Sequence, residues 1–340
     1  MKFKEQTKLH KILFLTVLVV FCLDFKISYA ESRGIGMKSI NSKPVLPIDT
    51  GTYRALIIGN NDYSDAGGTW PSLKTAVSDA RALKQVLKEQ YHFTDVKLME
   101  NASRKDVLLA LQSLSRRVLT NDSVLVYYAG HGYLDENTNT GYWVPTDAKG
   151  HDHTSYLRNS TIRDELMLIS SRVRHTLLIS DSCFSGSLLR SGVRGIHSNI
   201  GTDQYYKKVA MKKSVQIMAA GGVEYVDDDY KSSGHSPFSY FLLNELKSND
   251  RTMLSLSELS TNVEKAVANN VDQVPESGVL HGAGDELGEF VFIKVKVKGI
   301  PKDRVKVIVE SDMESSRKVI VEDEKGDSNF KTDILPIPTL

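Results

Sequence analysis

Two stretches decide the fold: SVLVYYAGHG at residues 123–132 and TLLISDSCFSG at 176–186. Each opens as an unbroken apolar run and ends in glycines beside reactive side chains. Continuous runs of this kind suit strands covered on both faces. Moving outward, YRALII (53–58) is a third such run, closed by the turn cluster Gly59-Asn60-Asn61-Asp62. Val96–Met99, Ser214–Ala220 and Glu289–Val297 are further expected strands. Between them lie helical periods. Apolar residues at 73, 76, 77, 80, 83, 86 and 87 predict a helix over Leu73–Leu87. A second helix starts at Ser103, a cap residue with Asp106 three positions on. Thr161–Ile169, Pro237–Leu246 and Leu256–Val267 complete the helices. Strands alternating with helices predict an α/β fold, a mostly parallel central sheet with helices on both faces. Sites in such sheets form at the carboxyl ends of the strands.

Both deciding strands run into chemistry at that end. One leads to Gly130-His131-Gly132, the other to Asp181-Ser182-Cys183. If the strands are neighbours, His131 and Cys183 meet at one sheet edge as a base and a nucleophile. The backbone N–H groups of Gly132 and Cys183 could hold the oxyanion of a tetrahedral intermediate. Glycines flanking His131 allow a tight turn and close approach of a substrate backbone. Read alone, a histidine such as His131 is more often a satisfied turn residue, and Cys183 is equally a buried inert thiol.

Taken together, YYAGHG and SDSCFSG resemble the caspase-like cysteine peptidases of clan CD, more the metacaspase and bacterial caspase-like branch than the animal caspases. ALIIGNNDY (55–63), LKTAVSDARAL (73–83) and GAGDELGEFVF (282–292) extend the resemblance over about residues 53–293. His131 precedes Cys183 by 52 residues, close to the separation of about 50 seen in caspases. The resemblance implies a caspase–haemoglobinase fold with His131 and Cys183 as a catalytic dyad. It also implies specificity. Animal caspases cut after Asp and carry a QACRG-type motif; here an acid, Asp181, stands where the glutamine would be. In metacaspases an Asp at this position and one on the first helix line a pocket for Arg or Lys, and by motif these fall on Asp181 and Asp79. A loop cap is the plain alternative for Asp181, and a solvated helix position for Asp79. One departure is Ala129, where the family often has serine two residues before the histidine.

Composition narrows the setting. The 340 residues are 41% hydrophobic and 25% charged, which excludes a coiled-coil rod, a disordered chain and a polytopic membrane protein. A formal charge of +1 gives no pull toward nucleic acid, and two cysteines are too few for a disulfide scaffold or a four-thiolate zinc site. Four lysines (2, 4, 8 and 11), an apolar run from Ile12 to Leu23 and Ser28-Tyr29-Ala30 have the layout of a secretory signal peptide. The expectation is cleavage after Ala30 and a secreted or periplasmic protein; an uncleaved membrane anchor is the alternative. Cleavage would leave Cys183 as the single cysteine. The expected organisation is a signal at 1–30, a linker at 31–51, a peptidase domain at 52–297 and a β-leaning tail at 298–340, without internal repeat.

The expected function is an exported cysteine endopeptidase cleaving after Arg or Lys, with protein or peptide as substrate and no nucleic-acid or stable membrane partner. A caspase-like binding or scaffold module with weak turnover is the alternative. Ser187–Lys213 carries Arg190, Arg194, Lys207, Lys208, Lys212 and Lys213. It reads as a basic loop, either plainly solvated or open to self-cleavage. Asp227-Asp228-Asp229 is a candidate calcium site, because clustered carboxylates suit that ion and related enzymes often need it; three adjacent acids are also common on plain loops.

Overall fold

Six strands form the central sheet of this computed structural model, which describes residues 51–64, 68–182, 202–221, 228–280 and 282–294 and the backbone of 306–310 and 318–322. They are β1 (Tyr53–Gly59), β2 (Phe93–Glu100), β3 (Ser123–Ala129), β7 (His175–Asp181), β8 (Ser214–Ala219) and β10 (Glu276–Val279), in the order β10-β8-β7-β3-β1-β2. All neighbours are parallel except β10, which runs antiparallel to β8.

Strand alternation sorts the core into two layers. Tyr53, Ala55, Ile57, Leu125, Tyr127, Leu177 and Ile179 pack toward α1 (Ala76–Gln90), α5 (Pro237–Ser248) and α6 (Leu256–Ala268). Leu56, Ile58, Val124, Val126, Tyr128 and Leu178 pack toward α2 (Arg104–Arg117) and α3 (Asn159–Ser170). Both sheet faces are therefore dry, which is why the strands read as unbroken apolar runs. The expected start at Ser103 is a complete capping box with Asp106, and Arg116 and Arg117 sit in the last turn of α2, where the helix dipole favours cations.

Several elements depart from expectation. Of the expected strand Glu289–Val297, the described residues 289–294 form β11 (Val291–Ile293), which lies outside the central sheet and pairs with β9 (Met253–Ser255); residues 295–297 lie outside the described ones. A small antiparallel sheet follows His131: β4 (Gly132–Asp135), β5 (Thr140–Trp143) and β6 (Leu157–Arg158). The basic stretch is not one loop. Its later part is α4 (Asp203–Ala210), capped by Thr202, with Lys207 and Lys208 in the last turn and Tyr206 and Ala210 buried; Arg190 and Arg194 lie outside the described residues. The tail contains a repeat that the sequence reading passed over. KVIVE occurs at β12 (Lys306–Glu310) and again at β13 (Lys318–Glu322), and the two pair antiparallel with Lys306 beside Glu322 and Glu310 beside Lys318. Among the described residues no helix is long and apolar enough to cross a membrane; residues 1–50 lie outside them.

His175 anchors the end of the sheet away from the candidate site. Its Nδ1 bonds Ser214 Oγ at 2.8 Å and its Nε2 bonds the Ala210 carbonyl at 2.9 Å. Burial pushes its pKa down from 6.5 to about 4, despite the opposing carbonyl bond. In the unfolded chain the ring takes a proton near pH 6.5; in the fold it resists until about pH 4. Its stabilisation is thus complete above about pH 6.5 and lost as pH falls toward 4, a span worth roughly 3 kcal/mol. In urea unfolding between pH 7 and 4.5, His175→Gln is expected to lose less stability with acidification than the wild type. Parallel losses in the two proteins would refute this.

Candidate active site

Register brings the reactive ends together. Gly59 pairs with Ala129, and Ala129 pairs with Asp181, so β1, β3 and β7 end side by side. His131 follows its strand end by two residues, and position 183 follows the adjacent one by two. Cys183 itself lies outside the described residues.

The His131 ring is fixed from one side. Its Nε2 lies 2.7 Å from the Pro71 carbonyl oxygen. A carbonyl only accepts, so the proton sits on Nε2 and Nδ1 is left with a lone pair. Tyr63 and Trp70 flank the ring, with centroids at 4.7 and 5.2 Å. Burial holds the His131 pKa below the ordinary value, against the Pro71 bond and the Asp228 charge, which raise it. Two phenols hold its backbone: His131 N–H donates to Tyr63 Oη at 3.0 Å, and Tyr128 O–H donates to the His131 carbonyl at 2.9 Å. Both hydroxyls also reach the Val144 carbonyl. Burial raises both phenol pKa values, so the hydroxyls stay protonated. Gly130 is required here, because a Cβ would lie 2.8 Å from Tyr128 Oη and 2.9 Å from Tyr63 Oη. Gly132, a buried residue, begins β4 opposite Trp143.

The two carboxylates meet around the start of α5. Asp79 is 1% exposed, on the buried side of α1, and is not a solvated helix position. Its Oδ2 accepts the Ser236 N–H at 3.3 Å, and its Oδ1 lies 2.5 Å from His235 Nδ1. Asp181 is 5% exposed, and its Oδ2 accepts the hydroxyls of Ser236 at 2.5 Å and Ser239 at 2.6 Å. Asp181 Oδ1 is buried and accepts no hydrogen bond among the described residues. Burial and then the Asp79 charge push the Asp181 pKa up to about 7. Burial also raises Asp79, although His235 and the Ser236 amide oppose it. Ala129 brings no hydroxyl to this corner; Ser236 and Ser239 do.

The caspase domain family matches residues 52–279. The chain belongs to that family. Its fold is the α/β caspase–haemoglobinase fold, and its relatives are cysteine peptidases of clan CD. It is 27% identical over 229 residues to metacaspase-1 of Pyricularia oryzae, spanning 60% of this chain and 54% of that one. Over 153 residues it is 29% identical to metacaspase-6 of Arabidopsis thaliana, 40% of this chain and 39% of that one. Thus the caspase-family chain spans about half or less of the curated relatives it matches. A crystal structure of caspase-1 from Spodoptera frugiperda aligns at a TM-score of 0.47 and 16% identity, over 67% of this chain and 88% of that one.

Calcium does not fit the acids that can be described. The Asp228 carboxylate takes the Lys74 N–H at 2.7 Å and the Thr75 N–H at 3.3 Å, while Asp229 Oδ1 takes the Gly234 N–H at 3.0 Å. The two turn to different partners. Among the described residues no three acid, histidine or cysteine side chains converge as a metal site. Asp227 lies outside them.

Sequence reading missed Pro71, Tyr63, Tyr128, His235, Ser236 and Ser239. Ser236-Pro237 did carry a signal, being a cap residue before a first-turn proline, but a cap signature does not announce what else its hydroxyl holds. The phenols carried none. Gly130→Ala is expected to destabilise the fold by about 1–3 kcal/mol through overpacking, measured by chemical denaturation. The cost is expected to shrink in a Tyr63→Phe/Tyr128→Phe background, which removes the oxygens in the way. An equal cost in both backgrounds would contradict the clash.

Proposed function

We propose that this chain is an exported cysteine endopeptidase that cleaves after Arg or Lys, with Cys183 as nucleophile and His131 as general base and acid. The observation that carries this reading is the strand register. By pairing Ala129 with Asp181 it sets the strand end that leads to His131 beside the one that carries Asp181 and leads into the thiol. In the proposed reaction Nδ1 of His131 takes the Cys183 proton, and the thiolate sulfur bonds to the scissile carbonyl carbon. The backbone N–H groups of Gly132 and Cys183 are assigned to the oxyanion. Collapse breaks the C–N bond, and His131 returns the proton to the leaving amine. A water, deprotonated by His131, then attacks the thioester, releasing the acid and restoring the thiol.

Asp79 and Asp181 are assigned to the side chain before the scissile bond. Asp181 Oδ1 supports this: among the described residues it has no donor, and a buried carboxylate oxygen of that kind suits an incoming guanidinium or ammonium. A neutral side chain would leave it unpaired. Export rests on residues 1–30, read as a cleaved signal peptide.

The test uses residues 31–340, with and without calcium, on peptides differing only in Arg, Lys or Asp before the scissile bond. Cleavage after Arg or Lys, abolished in Cys183→Ala, is expected. Cleavage after Asp would keep the dyad and defeat the pocket. No cleavage, with Cys183 slow to alkylate, would favour a binding module. Asp181→Asn is expected to lower kcat/KM on the Arg peptide about 10–100-fold, the worth of a hydrogen bond to a charged group. Because the Asp181 pKa is about 7 in the free protein, KM for the Arg peptide is expected to fall as pH rises through about 7. A pH-independent KM would count against it.

A further inference from the structure

His235 is a titratable side chain on the wall of the carboxylate pair to which the cleavage reaction gives no role. Its Nδ1 lies 2.5 Å from Asp79 Oδ1, and its side chain is 23% exposed, so the contact stands between the buried acid and solvent. The turn that presents it is built tightly. Lys231, Ser232 and Gly234 all have φ between 48° and 75°, and Tyr230 N–H donates to the His235 carbonyl at 2.8 Å. Ser78 Oγ of α1 donates to the Gly234 carbonyl at 2.6 Å, pinning the turn to the helix that carries Asp79. The next residue, Ser236, bonds both acids. One short segment therefore sets the position of both carboxylates. Among the described residues Asp181 Oδ1 has no donor, so the cluster has an acceptor that its own hydrogen bonds leave unused.

The charged groups around His235 are Asp79 from α1, Asp181 from β7 across Ser236, and Asp228, Asp229 and Lys231 from its own segment. Asp228 and Asp229 are each tied to backbone N–H groups. The Lys231 ammonium lies over the Tyr230 ring, 4.9 Å from its centroid.

We propose that His235 is a specificity-determining positioning residue: through Nδ1 it holds Asp79 Oδ1 in place for an incoming cation. The inference rests on reading Asp79 and Asp181 as the wall of a cation pocket. It deepens that reading by naming the side chain that sets where Asp79 stands.

Agmatine, a small guanidinium, tests this without turnover. Its dissociation constant is measured by calorimetry on residues 31–340 at pH 8, for the wild type, His235→Ala, His235→Leu and His235→Asn. The Asn amide nitrogen stands where Nδ1 stands and can give the same hydrogen bond. His235→Ala and His235→Leu are expected to bind about fivefold more weakly, the loss of one hydrogen bond, while His235→Asn stays near the wild type. A merely structural role would weaken all three variants. His235→Ala unchanged, or His235→Asn as weak as His235→Ala, overturns the positioning. Should His235→Ala fail to fold, His235→Leu decides. No agmatine binding by the wild type overturns the pocket and this inference together. Agmatine binding with the expected order but no peptide cleavage removes only the peptidase reading.

Discussion

An acid buried at the end of a central strand is the constraint from which the rest of this site follows. Asp181 cannot move away from the interior, because its backbone is in register with Ala129 on the neighbouring strand. Its carboxyl must therefore find donors where the sheet ends. The start of α5 supplies them. Ser236 caps that helix by accepting from Ser239 N–H at 3.0 Å, and its hydroxyl donates to Asp181. The same residue's N–H faces Asp79. Pro237, with its fixed φ, sets the direction in which the helix leaves this knot. Shifting α5 would disturb both carboxylates together. Tyr127 ties that helix back to β3 through Ser239, at 2.7 Å.

The imidazole half is built by different means. Aromatic rings and carbonyl oxygens surround His131, and its backbone hangs from two phenols. Neutral phenols suit this task, since each can give one hydrogen bond and accept others while remaining buried in apolar packing. The arrangement fixes the tautomer through Pro71 and the position of the ring through Gly130, whose missing Cβ lets the hydroxyls close over the chain. On one side of the sheet end a charge is held by hydroxyls from a helix start. On the other a base is held by the backbone and rings.

Much of the fold was legible because dry strands and amphipathic helices leave unmistakable periods. SVLVYYA and TLLIS read as buried strands because both sheet faces are covered. Ser103 and Asp106 read as a cap because the reciprocal bonds need those two residue types at that spacing. Legibility ended where structure depends on partners distant in sequence. The strands β4 to β6 are two to four residues long, too short for an alternation to show. The run EFVFIKVKV hid a short strand that pairs with β9 outside the main sheet, since periodicity does not name a partner. Asp203–Ala210 looked like basic loop, although its lysines sit where a helix end favours them. In the site, His131, Asp79 and Asp181 could be singled out from residue type and motif. Ser236 and Tyr63 could not, because an ordinary cap and a core tyrosine acquire their roles only through contacts 55 to 81 residues apart in the chain; Tyr128 reaches only 3 and 16 residues along, but in a buried strand it reads as plain core.

Desolvation ties these features into one electrical argument. It disfavours whichever form carries charge, so it moves acids and bases in opposite directions. His131 and His175 are both shifted down, while Asp79 and Asp181 are shifted up. At these four side chains the fold thus favours the neutral form, and at Asp181 the Asp79 charge adds to that bias. A cation entering beside Asp181 would reverse that bias at one place only. It would supply the missing partner of Oδ1 and favour release of the proton that burial retains. A neutral side chain of equal size would gain the same apolar contacts but leave the carboxyl as it was. In the proposed pocket, discrimination of this kind would come from a buried carboxyl's need for a partner more than from shape.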